Sequence, residues 1–85
     1  MNEAAHSFRL SDADPGTDVV LVKVEAGRHA ASRLASMGLL PGVKVSVVRN
    51  ERRGPFILSL RGGRVVLGRG LADHVRVQQA AANRD

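Results

Sequence analysis

The chain has 85 residues, which fits one domain with a small hydrophobic core. It contains no cysteine, and this excludes disulfide bonds and thiolate zinc sites. The formal net charge is +5, spread along the chain, and no apolar run reaches the roughly 18–20 residues that span a bilayer. The first residues also lack the basic start and apolar centre of a secretion signal, so we expect a cytoplasmic protein.

The first third of the chain predicts a disordered start, a turn and a strand. Residues 1–7 are expected to be disordered, and Asp14-Pro15-Gly16-Thr17 combines strong turn residues. In the strand Val19–Val24, alternation predicts Val20, Val22 and Val24 on one face and Val19, Leu21 and Lys23 on the other. Both faces begin apolar, which indicates a strand covered on two sides or lying at the seam of a closed barrel.

A short helix is predicted over Arg28–Met37, because small and apolar residues recur there at spacings of three and four. Ten residues are too few for a helix to be stable alone in water, so we expect it to pack on the sheet through Leu34 and Met37. Gly38 is expected to end the helix with a positive φ, and Pro41-Gly42 predicts a type II turn.

The middle of the chain predicts a strand, a polar loop and a second strand. Val43–Arg49 alternates well, with Val43, Val45 and Val47 expected to face inward. The polar loop Asn50–Gly54 carries Arg52 and Arg53 at its tip. In the strand after Pro55, the expected buried residues are Phe56, Leu58 and Leu60.

The last third predicts a hairpin and a final strand. Gly62-Gly63 is interpreted as a two-residue type I′ loop that returns the chain into Val65–Leu67. Residues Arg69–His74 are expected to form one tight helical turn before a short strand at Val75–Val77. The chain is therefore predicted to be mainly β: about five short strands and one short helix in a small, strongly bent antiparallel barrel. Closure of that barrel would remove the free strand edges.

The order of turns and core positions resembles that of the FeoA family of bacterial ferrous iron uptake. The matching residues are Pro15-Gly16, Arg33-Leu34, Met37-Gly38-Leu39, Pro41-Gly42, Val43, Val45, Val47, Gly62-Gly63, Val66-Leu67, Ala72 and Val75-Arg76-Val77. The resemblance runs from about Phe8 to Gln78 and implies an SH3-like barrel with a short helix. We therefore place the domain at residues 8–78 and a disordered tail at residues 79–85.

The resemblance implies a non-enzymatic accessory protein that supports or regulates Fe(II) transport. The implied partner is the cytoplasmic G-protein domain of an FeoB-like membrane transporter, which would hold the protein peripherally at the inner membrane without inserting it. No catalytic residue, cofactor or metal ligand is expected. His6, His29 and His74 are scattered without ligand spacing, and no nucleophile has an oriented base.

The hypothetical partner-binding residues are Arg33, Met37, Leu39, Leu40, Arg52 and Arg53. We interpret Leu39 and Leu40 as part of an apolar groove between the helix end and the Pro-Gly turn, edged by arginines. The alternative is that both leucines close the end of the barrel. For Arg52 and Arg53, the alternative to a partner contact is a solvated loop tip.

Two other functions remain open at this stage. A small basic barrel that binds nucleic acid fits the arginine content, although Phe8 and Phe56 are the only aromatic residues available for base stacking. A stand-alone relative of the SH3-like module of metal-dependent repressors is the other, although no DNA-binding helical region precedes the domain. A valine-rich strand edge would also allow weak homo-oligomers.

Overall fold

The computed structural model describes residues 6–80. The expectations for the chain ends at 1–5 and 81–85 lie outside the described residues. The described elements are β1 (Phe8–Arg9), a 3₁₀ turn (Leu10–Asp12), β2 (Asp18–Val24), α1 (Arg28–Ser36), β3 (Lys44–Asn50), β4 (Phe56–Leu60), β5 (Gly63–Leu67), α2 (Arg69–Ala72) and β6 (Val75–Gln79). The strands form one six-stranded antiparallel sheet in the order β1-β6-β2-β3-β4-β5. The predicted mainly-β fold with one short early helix is confirmed.

The sheet begins earlier and ends later than the sequence predicts. The additional strand, β1, is only two residues long and pairs Phe8 with Val77. Ser7 lies beside it, where its carbonyl oxygen accepts a hydrogen bond from Arg76 Nη2 at 2.8 Å. At the other end β6 extends to Gln79, which pairs with Val19. Both extensions depend on partners far away in the sequence, so local patterns carried no signal for them.

The core is aliphatic apart from Phe56, as the composition suggests. Among residues 6–80 no polar or charged residue is buried. The buried residues are Leu10, Ala13, Val19, Leu21, Leu34, Leu39, Val45, Val47, Phe56, Leu58, Leu60, Leu67, Ala72, Val75 and Val77. The expected inward faces of β3 and β4 are confirmed, and Leu34 is the residue through which α1 is buried.

A β-bulge in β2 changes the alternation that the sequence predicts. The pairing of β2 with β6 shifts register between Leu21 and Lys23. A bulge inserts one extra residue and so exchanges the two faces of the strand beyond it. Val19 and Leu21 are buried before the bulge, whereas Val24 packs against the core after it and Lys23 is exposed. The prediction that Val24 shares a face with Val20 and Val22 is therefore wrong.

The hairpin between β4 and β5 turns one residue earlier than predicted. Leu60 pairs with Gly63, and the two loop residues are Arg61 (φ 53) and Gly62 (φ 83), not Gly62 and Gly63. A loop of Gly62-Gly63 would place Arg61 directly opposite Arg64, and like charges in that position are destabilising. In the observed register Arg64 lies opposite Ser59.

The bent sheet does not close through strand pairing. In the described part of the chain β1 pairs with β6 alone and β5 pairs with β4 alone. The expectation that closure removes every free edge is therefore wrong. β1 is only two residues long, and the chain leaves it directly into the 3₁₀ turn. It therefore offers little extended backbone that could pair with β5.

Candidate functional site

The end of α1 and the turn after it fix where the two adjacent leucines point. The N–H of Gly38 donates to Ala35 O and the N–H of Leu39 donates to Leu34 O, both at 2.9 Å, which is the Schellman pattern of a helix C-terminus. Gly38 has the positive φ of 91° that this pattern needs. Leu39 is therefore drawn inward beneath the helix and is 1% exposed.

Leu40 points the other way. The N–H of Val43 donates to Leu40 O at 3.1 Å, and Gly42 has φ 93°, so Leu40-Pro41-Gly42-Val43 is the predicted type II turn. The side chain of Leu40 is 48% exposed at the start of this turn. The alternative that both leucines close the barrel end thus holds for Leu39, whereas Leu40 stands on the surface.

Leu40 forms part of an apolar depression that we call the helix groove. Its volume is about 530 Å³, and it lies between α1 and the Leu40-Pro41 turn. Its lining residues are Lys23, Val24, Arg28, Ala31, Ser32, Ala35, Leu39, Leu40 and Pro41. The two small alanines leave the helix wall low, because their side chains end at Cβ.

A second depression, the Met37 pocket, lies on the other side of Leu40. It has a volume of about 410 Å³ and is lined by Ser36, Met37, Gly38, Leu40, Val43, Leu60 and Arg61. Met37 is half-buried and packs against the core. Leu40 therefore lies between two neighbouring depressions. The structure brings Met37 and Leu40 together on one surface, and the buried Leu39 is among the residues that line the helix groove.

Two cations border the helix groove. Lys23 Nζ lies 3.4 Å from Glu25 Oε2, in an exposed ion pair. Arg28, the first residue of α1, makes no ion pair with any residue in the 6–80 range. Arg33 is exposed on α1 and lines neither depression. The arginine edge that the sequence suggested is thus supplied by Arg28 and not by Arg33.

Arg52 and Arg53 lie in the exposed β3–β4 loop, and neither of them lines the helix groove. Arg52 lines a separate polar pocket of about 400 Å³ together with Ser11, Asp12, Asn50 and Arg69. Arg53 is exposed and lines none of the three depressions. The predicted binding residues therefore fall into two groups, Met37, Leu39 and Leu40 beside the helix groove and Arg52 and Arg53 in the β3–β4 loop, and Arg33 lies outside both.

Asn50 and Arg69 hold this loop region in place, and sequence reasoning assigned neither of them a role. Asn50 Nδ2 donates to Ser11 O at 3.0 Å and to Ala13 O at 2.7 Å. Arg69 Nη2 donates to Asn50 Oδ1 and, at 2.7 Å, to Glu51 O. The network joins β3, α2 and the 3₁₀ turn, and nothing in the local sequence pattern marks residues 50 and 69 as partners.

The histidines do not assemble a metal site. No group of three or more potential His, Cys, Asp or Glu ligands occurs within residues 6–80, and His6, His29 and His74 are all exposed. In the same part of the chain, no helix has the length and apolar character needed to cross a membrane.

Comparison with known proteins identifies the family of this chain. A model of the FeoA domain matches residues 8–79 of this chain. The chain belongs to the FeoA domain family. The "Putative Fe(2+) transport protein A" of Methanocaldococcus jannaschii is 41% identical over 73 residues, which cover 86% of this chain and 88% of that protein.

Solved structures agree with the FeoA assignment. A crystal structure described as Iron Uptake Regulatory Protein (FeoA) has a TM-score of 0.82 and 36% identity, and the match covers 87% of this chain and 99% of that one. The solution structure of the FeoA protein from Chlorobium tepidum has a TM-score of 0.79 and 26% identity, covering 91% and 74% of the two chains. A manganese-dependent transcriptional repressor (17% identity, TM-score 0.79, 42% of its length) shares the SH3-like fold alone.

Proposed function

We propose that this FeoA-domain protein is a non-enzymatic accessory protein of ferrous iron transport. It docks on the cytoplasmic G-protein domain of an FeoB-like transporter and supports or regulates Fe(II) uptake. Support for the transport role comes from the FeoA domain match and from the name of the Methanocaldococcus jannaschii relative. The observation that carries the docking role is the half-exposed Leu40 between two depressions.

The helix groove suits an apolar partner segment. Leu40 and Pro41 form one wall, and Ala31 and Ala35 form a low opposite wall, so a partner side chain entering the groove would lose contact with water on several sides. Binding energy at interfaces concentrates in a few such desolvated positions, while the surrounding contacts mainly exclude water. Leu40 is the side chain we expect to contribute most.

The cations at the groove border suggest the charge of the partner. Arg28 has no carboxylate partner within the described chain, and the net charge of the whole protein is +5. A partner segment with acidic residues beside its apolar anchor would match this border. Such complementary charges chiefly raise the association rate and make it depend on salt.

Arg28→Glu is expected to weaken binding of the transporter's G-protein domain about three- to tenfold, mostly through a slower association rate. The same substitution places an acidic residue in the first turn of α1, where the helix dipole favours it, so the free energy of unfolding should rise by about 0.3–1 kcal/mol. Surface plasmon resonance at several salt concentrations and urea unfolding measure the two effects separately.

Lys44→Glu is the matched control for Arg28→Glu. Lys44 is exposed, lies outside the groove, and loses an exposed ion pair with Asp18 in this substitution. It makes the same change in net charge, so it reports the effect of overall charge alone. Equal weakening by both variants would contradict a specific contact at Arg28.

The double substitution Arg52→Glu and Arg53→Glu tests the second group of predicted residues. If the β3–β4 loop contacts an acidic surface of the partner, the affinity falls and its salt dependence becomes shallower. Both side chains are exposed, so the unfolding free energy should change by less than about 0.5 kcal/mol. Unchanged affinity across ionic strengths would exclude these two arginines from the docking surface.

A further inference from the structure

The outer edge of β5 is a second surface with unused binding groups. Leu60 and Gly63 close a two-residue turn, so they exchange both hydrogen bonds, and hydrogen-bonded and non-bonded pairs then alternate along the ladder. Gly63, Val65 and Leu67 thereby bond to β4. The N–H and C=O groups of Arg64 and Val66 point away from it, and within residues 6–80 no backbone hydrogen bond outside the ladder involves either residue.

Side chains along this edge combine one apolar group with two cations. Val66 is the most exposed of the large hydrophobic residues in the described chain, at 61%. It shares the outer face with Arg64, and Arg61 lies in the turn just before the strand. Neither arginine has a carboxylate of residues 6–80 within ion-pair distance.

The edge carries little of the protection that exposed strands usually have. The opposite edge of the sheet, β1, is two residues long, which limits pairing. β5 is five residues long, contains no proline, and its register with β4 has no bulge. Arg64 is the only charged side chain within β5. Its positive charge disfavours pairing with a neutral or basic strand but favours pairing with a strand that carries an acidic residue.

We propose that the β5 edge binds an extended acidic segment of a partner protein as a seventh strand. The main chain of the segment pairs with the free groups of Arg64 and Val66, which is the β-strand addition mode of peptide recognition. On the outer face, an acidic residue stands beside Arg64 and an apolar residue stands two positions away beside Val66. This site does not rest on the proposed docking of the helix groove.

A second copy of this chain fits the edge less well. Antiparallel pairing of two β5 strands would bring two copies of Arg61 and Arg64 together, with a net charge of +5 on each molecule. Like charges across an interface are unfavourable and suppress that pairing. The charge of the edge therefore selects an acidic partner.

The test uses the ¹⁵N-labelled full chain and a short fluorescein-labelled peptide with the repeat Glu-Thr-Val-Thr, in which glutamate and valine lie two positions apart and therefore share one face of the strand. We expect the largest amide shifts at Arg64 and Val66. A peptide of the same sequence with N-methylated amides should bind about tenfold more weakly, since it loses intermolecular main-chain hydrogen bonds. The variant Arg64→Pro should bind at least about tenfold more weakly, since it loses both the outward N–H and the cation beside the acidic residue. The Arg64 N–H faces away from β4, so proline there leaves the ladder intact.

Val66→Glu provides a test that does not depend on proline. It should weaken binding of the acidic peptide by at least about fivefold through charge repulsion and lost apolar contact. Val48→Glu is the control, because Val48 is also an exposed valine but belongs to β3, which is paired on both sides and is not an edge strand. Thermal unfolding of the Arg64→Pro, Val66→Glu and Val48→Glu variants verifies that each is folded.

Four results would overturn the proposal. These are equal binding of the N-methylated peptide, amide shifts confined to the helix groove, dimerisation of the free protein through β5, and no binding at millimolar peptide. Leu40→Gln should leave peptide binding unchanged, so loss of transporter docking and loss of edge binding can be told apart.

Discussion

Leu39→Gln is expected to cost about 3–5 kcal/mol of unfolding free energy, whereas Leu40→Gln leaves the protein folded and strongly weakens docking. Both substitutions replace the same side chain with the same amide at adjacent positions. They differ because Leu39 is 1% exposed and Leu40 is 48% exposed. The contrast separates the packing role of one leucine from the binding role of the other.

The size of the Leu39 effect follows from burial. Removing a buried leucine forfeits about 1.5–3 kcal/mol of hydrophobic stabilisation, and an unpaired buried amide adds about 1–3 kcal/mol. A loss of about 3–5 kcal/mol is a large part of the roughly 4–13 kcal/mol expected for a domain of this length. Leu40→Gln keeps its amide in water and should cost less than about 1 kcal/mol.

The docking effect of Leu40→Gln should be large if the groove binds the transporter. Truncation of a central interface anchor commonly costs 2 kcal/mol or more, roughly a thirtyfold loss of affinity. Urea unfolding measures stability, and binding to the transporter's cytoplasmic G-protein domain measures docking, with iron-dependent growth as the cellular readout. Unfolding of Leu40→Gln would instead support a purely structural role for both leucines.

Gly38→Ala is expected to cost about 2–4 kcal/mol of unfolding free energy. Part of this cost is conformational, because Gly38 has φ 91°, and a left-handed residue with a Cβ costs about 1–2 kcal/mol. The rest is steric. A Cβ at this position would lie 3.1 Å from Leu60 Cδ2, so the buried Leu60 must shift and disturb the packing around it.

Gly42→Ala is the matched control for the steric part. Gly42 has nearly the same φ, 93°, but no atom lies within 4 Å of the position its Cβ would take. Its substitution should cost only the conformational part, about 1–2 kcal/mol. Chemical denaturation of both variants measures the difference. Equal losses at the two positions would mean that Leu60 yields freely and that close packing at Gly38 is unimportant.

Local chemistry explains why the corners of this fold were predictable. A helix end at Gly38 and a turn at Pro41-Gly42 need a positive φ and a fixed proline φ within a few residues, so the glycines and the proline mark them directly. The alternation of Val43, Val45 and Val47 likewise identifies the inward face of β3. The same glycine, proline and valine positions carried the resemblance to the FeoA family, which the domain match confirms.

Features that depend on distant partners were not predictable in this way. The bulge between Leu21 and Lys23 is a property of the pairing of β2 with β6. The early turn at Arg61-Gly62 reflects the cross-strand position of Arg64. The bonds from Arg69 to Asn50 join residues in separate elements. None of these leaves a periodic or compositional trace near the residues concerned.

The sequence alone therefore determined most of the elements of this protein and its family, because glycine, proline and alternating valines act on the backbone within a few residues. Only the tertiary structure decided which of two identical leucines faces the core, which arginine borders the groove, and that the sheet keeps a free edge at β5. Those outcomes depend on how distant strands and the helix pack, and packing is a property of the whole chain.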